Sequence, residues 1–211
     1  MTKSTEFAKL FVDILAADLD GQSDEGIPLG ISNRHIHLSE LDIVQLFGQG
    51  YQLTPLKELS QPGQYACKET VLIAGAKGAI EKVRVLGPAR VETQVEILAG
   101  DCFKLGVKAP VRQSGEIDQT PGLTIIGSKG TIILKRGTII AQRHIHMTRS
   151  DAKHYGLADQ QEVSLRLVGG RGGVLENVVV RVSDSFRLEC HLDTEEANAM
   201  GLSSKSRVYI N

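Results

Sequence analysis

Two stretches of this chain are near copies of each other. Arg34-His35-Ile36-His37-Leu38-Ser39 returns as Arg143-His144-Ile145-His146-Met147-Thr148, and an aspartate follows at the same distance in each, Asp42 and Asp151. Four of the six histidines lie in these two pairs. Side chains along a strand alternate between faces, so His-Ile-His turns both imidazoles one way and the isoleucine the other. Each copy thus offers two nitrogen ligands to one metal, and the duplication calls for a fold built from two related halves.

The repeat extends beyond the histidines. Gly78 to Val85 (GAIEKVRV) matches Gly173 to Val180 (GVLENVVV) without a gap, and running both forward sets Glu96 opposite His191. The pseudo-symmetric reading is one site from His35, His37 and Glu96 and a second from His144, His146 and His191. Zinc accepts imidazole and carboxylate, and three protein ligands with a vacant fourth position is the catalytic pattern. A single pair would more simply be histidines in polar cores or turns. Two pairs in a duplicated context outweigh that alternative.

The chain has 211 residues, 41% hydrophobic and 23% charged, an ordinary globular composition. With 24 basic against 25 acidic residues the net charge is -1, which gives no general attraction to nucleic acid or anionic membrane. An aromatic content of 4% without tryptophan also argues against a base-stacking platform. No apolar run is long enough to span a bilayer, and no secretory signal is visible. Three irregularly spaced cysteines, Cys67, Cys102 and Cys190, suggest no disulfide framework and a reducing cytoplasm.

Residues 5 to about 18 read as a short amphipathic helix with Phe7, Leu10, Phe11, Ile14 and Leu15 on one stripe. Asp18 to Pro28 is a polar linker. Ser39 and Thr148 are set to cap short helices, with Asp42 and Asp151 at the third helical position in the manner of a capping box. Each His pair therefore sits where a strand gives way to a helix. From Tyr51 onward the pattern is of short β-branched strands. In Val91 to Leu98, alternation puts Val91, Thr93, Val95 and Ile97 on one face and Glu92, Gln94 and Glu96 on the other, where Glu96 would otherwise be a solvated glutamate. Asp101 to Gly130 is rich in Gly, Pro and polar residues and is the expected crossover. Asp193 and Thr194 start another short helix just past His191. The glycines at 75–78 and 169–173 lack dinucleotide or Walker spacing and suit hairpin turns. Many short strands with few short helices favour barrels or sandwiches.

Ser32 to Ser39 (SNRHIHLS), Gly87 to Arg90 (GPAR) with Thr93 to Ile97 (TQVEI), Gln142 to His146 (QRHIH) and His191 to Ala199 (HLDTEEANA) closely resemble the phosphate propanoyltransferase family, the phosphotransacylases associated with bacterial microcompartments for propanediol use. The resemblance runs from about Leu29 to the C-terminus. It implies a mainly β fold of two small β-barrels capped by short α-helices, spanning residues 29–115 and 116–211, with strand exchange between them left open. It also implies two zinc ions in the intervening cleft, and reversible reaction of acyl-CoA with inorganic phosphate to give acyl phosphate and CoA. By motif, His35, His37 and Glu96 resemble ligands of one zinc, His144, His146 and His191 those of the other, and Arg90 the arginine that handles phosphate. Many family members carry an N-terminal encapsulation peptide, a role that residues 1–20 fit. The implied setting is the bacterial cytoplasm, within a microcompartment if that segment docks on shell or core proteins, and a homo-oligomer is expected.

The residues suit this chemistry. A guanidinium at Arg90 orients phosphate through a bidentate fork, and zinc is a soft partner for a departing thiolate. Lys68, Lys77, Arg112 and Arg171 are candidates for the CoA phosphates, although isolated surface cations are usually only solvated. Cys67 beside Lys68 is a conceivable acyl-accepting nucleophile, but only His154 is left over to serve it as a base. A zinc hydrolase and a metal-stabilised docking module are the competing readings.

Overall fold

The computed structural model describes residues 26–211; the amphipathic segment expected at residues 5–18 lies outside them. Among the described residues are fifteen strands and four short helices. In chain order the first half holds β1 (Ile27–Ser32), β2 (His35–Ser39), α1 (Glu40–Phe47), β3 (Pro55–Glu58), β4 (Tyr65–Ala74), β5 (Ala79–Arg90), β6 (Gln94–Glu96), α2 (Ala99–Leu105) and β7 (Val111–Arg112). There follow β8 (Thr124–Ile126), β9 (Thr131–Ile133), β10 (Thr138–Ala141), β11 (His144–Met147), α3 (Arg149–Tyr155), β12 (Glu162–Leu167), β13 (Gly173–Val182), β14 (Glu189–Asp193), α4 (Thr194–Ala199) and β15 (Arg207–Ile210).

The fold is mainly β, with short helices capping it. Six strands close a barrel in the order β1-β14-β11-β13-β12-β15, while nine strands form a curled open sheet ordered β7-β10-β6-β2-β5-β4-β8-β9, with β3 on β4. Each half has its own apolar core, one around Ile36, Val85, Val95 and Ile125, the other around Ile145, Leu165, Val180 and Leu192.

The sheets group the chain differently from a division after residue 115. Thr124 to Ala141 pair within the open sheet, and Ile27 to Ser32 pair within the barrel. The linker expected to run to Pro28 therefore gives way to a strand by Ile27, whose side chain is fully buried. Composition could not show this, because the pairing partners of β1 lie more than 150 residues downstream.

The exchange is reciprocal. The strand that leads into each His pair crosses to the opposite sheet and lies parallel to the strand carrying the third residue of the other triad. β1 pairs with β14 so that Gly30 meets His191, and β10 pairs with β6 so that Ile139 meets Glu96. Gly30 and Ile139 occupy equivalent positions, five residues before His35 and His144. At Gly30 the approach is close, since a Cβ there would lie 2.9 Å from the Glu189 carboxylate, which would have to shift.

The helix starts follow their caps. Ser39 Oγ accepts from Asp42 N at 3.2 Å, and Thr148 Oγ1 from Asp151 N at 3.1 Å. The second box closes reciprocally, Thr148 N donating to Asp151 Oδ2 at 2.9 Å. In the first, Ser39 N instead donates to Thr93 Oγ1 at 2.9 Å, and that hydroxyl donates to the Asp42 carboxylate. The buried Thr93 therefore ties the helix after the first His pair to the strand that leads to Glu96.

Two local expectations need correction. Val91 is 97% exposed rather than part of an apolar strand face, because the chain bends between Arg90 and Gln94 and the strand reduces to three residues. Ala99 to Leu105 is a helix that runs into the stretch, from Asp101 on, expected to be irregular. Its start is satisfied by Asp101, whose Oδ2 accepts from Leu98 N at 3.1 Å and from Arg34 Nε at 2.7 Å.

The isoleucine inside each pair is fully buried. Ile36→Ala and Ile145→Ala are each expected to lower unfolding stability by about 2–5 kcal/mol, the range for a large aliphatic lost from a packed core. Leu41→Ala, at a side chain 78% exposed, should stay within about 0.5 kcal/mol. Urea midpoints of the three variants check this ordering.

Candidate metal centre

Each His pair occupies a strand with two neighbours of opposite sense. β2 runs parallel to β5 and antiparallel to β6; β11 runs parallel to β13 and antiparallel to β14. Register then sets the third residue directly across from the first histidine, His35 opposite Glu96 and His144 opposite His191. Alternation brings the second histidine to the same face. In each triad the donor atoms lie within 4.8 Å of one another, close enough for one ion.

The first triad is buried. Glu96 Oε2 is 3.3 Å from His35 Nε2, and Oε1 is 3.9 Å from His37 Nε2. In the second, the rings of His144 and His191 stack at 4.9 Å, and His146 meets them edge-on at 4.6 and 4.7 Å. His35 Nδ1 sits 2.7 Å from Asn33 O and His144 Nδ1 2.8 Å from Gln142 O. A carbonyl can only accept, so both Nδ1 atoms carry the proton, which leaves the inward Nε2 of each ring, in its neutral form, to offer a lone pair.

The protonation equilibria agree with this arrangement. Burial, helped by His35 and Arg90, lowers His37 to about 3. Burial and His191 lower His144 to about 4, and burial with His144 and His191 lowers His146 to about 2. These three rings are therefore neutral at pH 7, the form a metal requires. Burial opposes charge on Glu96 too, yet His35, His37 and Arg90 hold it far below the usual carboxylate range. Burial also pushes His35 down, but the Glu96 carboxylate outweighs it and the net shift is upward.

Four buried ring nitrogens, His37 Nδ1, both of His146 and His191 Nε2, have no hydrogen bond. Unmatched buried polar atoms cost about 1–3 kcal/mol each. Such clustering, with an imidazole and carboxylate donor set, fits zinc. His191 Nε2 does lie 3.0 Å from Glu189 Oε2, an ion-pair approach without hydrogen-bond alignment.

Both triads line one cleft of about 580 Å³ between the barrel and the open sheet. Arg90 is the last residue of β5, and it lines this cleft. Its Nη1 donates to Ser114 Oγ at 2.8 Å. Arg181, the penultimate residue of β13 and opposite His146, enters from the barrel side. It makes no hydrogen bond or ion pair among the described residues, only a cation–π contact of 5.6 Å with Phe186, which stacks on His146 at 4.1 Å. Burial and the neighbouring Arg181 both disfavour the Arg90 charge, against the pull of Glu96. Two partly buried guanidiniums so placed have the chemistry to receive an anion.

Lys68, Lys77, Arg112 and Arg171 do not line this cleft. Lys68 is on the exposed face of β4, Lys77 packs its stem over Gly106, Arg112 caps its own neighbour's carbonyl, and Arg171 is in the β12–β13 turn beside Gly201. The cleft's other cations are Arg34 and Arg84, which the sequence reading passed over. Arg84 faces His35 in register and donates to Cys67 O and Lys68 O, both at 2.9 Å. Arg34 and Arg143, each just ahead of a His pair, repeat one clamp. They hold Asp101 and Glu196, the third residues of the helices that follow Glu96 and His191, at 2.7 and 2.9 Å. Their identical place in the two copies was the available signal. Cys67 is fully buried in the core with its thiol pushed up to about 11 by burial and Glu69, which removes it as a nucleophile.

In metal-free protein, the unfolded chain gains protons near pH 6.5 that folded His37, His144 and His146 refuse. A depressed histidine pKa costs nothing above about pH 7 and destabilises as pH falls. His35, shifted upward, works in the opposite sense, one group against three. Thermal midpoints of chelator-treated protein should therefore fall between about pH 7 and pH 5. His146→Gln should make that decline shallower, and a flat profile would contradict the assignment.

A family model for phosphate propanoyltransferase matches residues 28–203. A phosphate propanoyltransferase of Thermotoga maritima is 54% identical over 190 residues, covering 90% of each chain. One of Rhodopseudomonas palustris is 50% identical over 184 residues, 87% of this chain and 81% of that one. One of Rhodobacter capsulatus is 46% identical over 204 residues, 96% and 95% of the two chains. With a family model spanning most of its length and relatives matched over most of theirs, the chain belongs to the phosphate propanoyltransferase family.

Proposed function

We propose that this acyltransferase moves a short acyl group, propanoyl or acetyl, reversibly between CoA and inorganic phosphate, with two zinc ions held in the cleft. The observation that carries this reading is the convergence of two three-donor clusters and two under-satisfied guanidiniums on one cleft. His35, His37 and Glu96 would hold one zinc, and His144, His146 and His191 the other. When bound there, zinc supplies Lewis acidity toward the reacting oxygens and a soft partner for the CoA sulfur.

The chain's own residues do the rest. Arg90 and Arg181 approach from opposite walls and hold phosphate by charge-assisted hydrogen bonds that leave one of its oxygens free to attack. Ser114 Oγ already accepts from Arg90 Nη1 and from Gln94 Nε2, at 2.8 and 2.9 Å, so both lone pairs are used and its proton is left to donate. Attack forms the new C–O bond at the thioester carbon, and the C–S bond breaks with its electron pair leaving on the CoA thiolate. No cysteine is needed, in keeping with the buried Cys67. Phe186 and Leu86 supply apolar wall to the same cleft. One methylene separates propanoyl from acetyl, worth roughly 1–3 kcal/mol in discrimination.

Purified protein should contain about two zinc per chain and release thiol from propanoyl-CoA only when phosphate is present. His144→Ala should lose about one equivalent of metal and most of its turnover. Arg90→Lys should keep both metals and lose roughly 10- to 100-fold in kcat/KM for phosphate, the worth of a charge-assisted contact. Phosphate-independent release would make the protein a thioester hydrolase, and bound metal without turnover a structural module.

A further inference from the structure

Gln94 is 2% exposed, and its amide is fully engaged. Nε2 donates to Glu96 Oε1 at 2.7 Å and to Ser114 Oγ at 2.9 Å, while Oε1 accepts from Gly115 N at 2.8 Å. The opposite amide orientation would set oxygen against the Glu96 carboxylate and N–H against the Gly115 N–H, so the network admits one orientation. A glutamate of the same length would face Glu96 with like charge. Only a neutral side chain with two donors satisfies a carboxylate and a hydroxyl at once.

The register gives this position a counterpart. Gln94 lies opposite His37 and Glu189 opposite His146, and each stands two residues before the third member of its triad. Glu189 in turn approaches His191 at 3.0 Å. The same site in each half thus carries a polar partner for the third residue, an amide beside the carboxylate and a carboxylate beside the imidazole.

We propose that Gln94 is a positioning residue that couples the Glu96 carboxylate of the first triad to the Arg90–Ser114 anion receptor. It fixes which Glu96 lone pairs face the histidines, and it occupies a Ser114 lone pair so that the serine hydroxyl proton points at the bound anion. The inference rests on the two-metal phosphate acyltransferase reading above.

The test compares metal release to a chelator with steady-state kinetics for wild type, Gln94→Met and Ser114→Ala. In Gln94→Met, one of two metal equivalents should leave about 10- to 100-fold faster, the usual effect of losing an outer-sphere partner. Its KM for phosphate should rise several-fold while KM for acyl-CoA stays put. Ser114→Ala should show the KM change without the faster release. A residue that served folding alone would lower the melting temperature and the active fraction but move neither quantity. If Gln94→Met does not fold, Gln94→Asn, whose amide is too short to reach both partners, should show the same two changes. Wild-type release and KM in a folded Gln94 variant, or a change in only one of them, would overturn the coupling. Wild-type protein that binds no metal, or needs no phosphate for thiol release, would instead overturn the parent reading.

Discussion

The site depends on a reciprocal exchange of strands. β1 and β10 each leave their own His pair behind and dock beside the third residue of the opposite triad, at Gly30–His191 and Ile139–Glu96. Each triad is therefore fixed by backbone pairing from both halves of the chain, and neither half can be completed without the other. Because side chains alternate strictly, a one-residue slip would turn both imidazoles into the core and the isoleucine into the cleft. The fully buried Ile36 and Ile145 oppose that slip, so the packing of the two cores enforces the aim of the histidines.

Around this frame the polar groups are placed at some expense to stability. Neutral imidazoles with unmatched nitrogens, and guanidiniums pressed toward one another, are unfavourable in an empty cleft. On the proposed reading, bound cations and an anion would make them favourable together. The clamps of Arg34 on Asp101 and Arg143 on Glu196 help to hold the arrangement, joining the approach to each His pair to the helix beyond the third residue. Thr93 adds a further tie on the first side, through Ser39 and Asp42.

Much of this could be read from the chain. The His-Ile-His alternation, the Ser39 and Thr148 caps and the glycine hairpin turns are local patterns, and local patterns survive in sequence. The ungapped match that set Glu96 opposite His191 worked because both strands are antiparallel neighbours of a His strand at the same register. What could not be read depends on long-range pairing. Arg181 has no distinguishing neighbours in sequence, and only its position beside His146 gives it a part in the cleft. Lys68 and Arg112 looked as suitable, but strand parity and edge position turn them outward. Gln94 carries no local signal of its part, since two of its three hydrogen bonds are made with a loop about twenty residues on. The helix at Ala99 to Leu105 lacks a Ser, Thr, Asp or Asn at its N-cap, where Leu98 stands, and the Asp101 that satisfies its start is itself held by Arg34, far away in sequence.

Duplication accounts for the frame, and divergence between the copies accounts for the chemistry. Glu96 stands where the second half has His191, Leu86 where it has Arg181, Gln94 where it has Glu189, and Arg90 where it has Ser185. On the proposed reading, Glu96 would cancel one unit of charge on its divalent ion, while three neutral imidazoles leave the other ion its full charge. The two metals would then differ in Lewis acidity and in affinity for an anionic sulfur. The arginines are divided as well, one from each wall, so that on the same reading an anion held between them would bridge the halves of the repeat. Identical triads would give no basis for assigning nucleophile and leaving group to different sides of the cleft; on the proposed reading, the differences at these four paired positions would supply one.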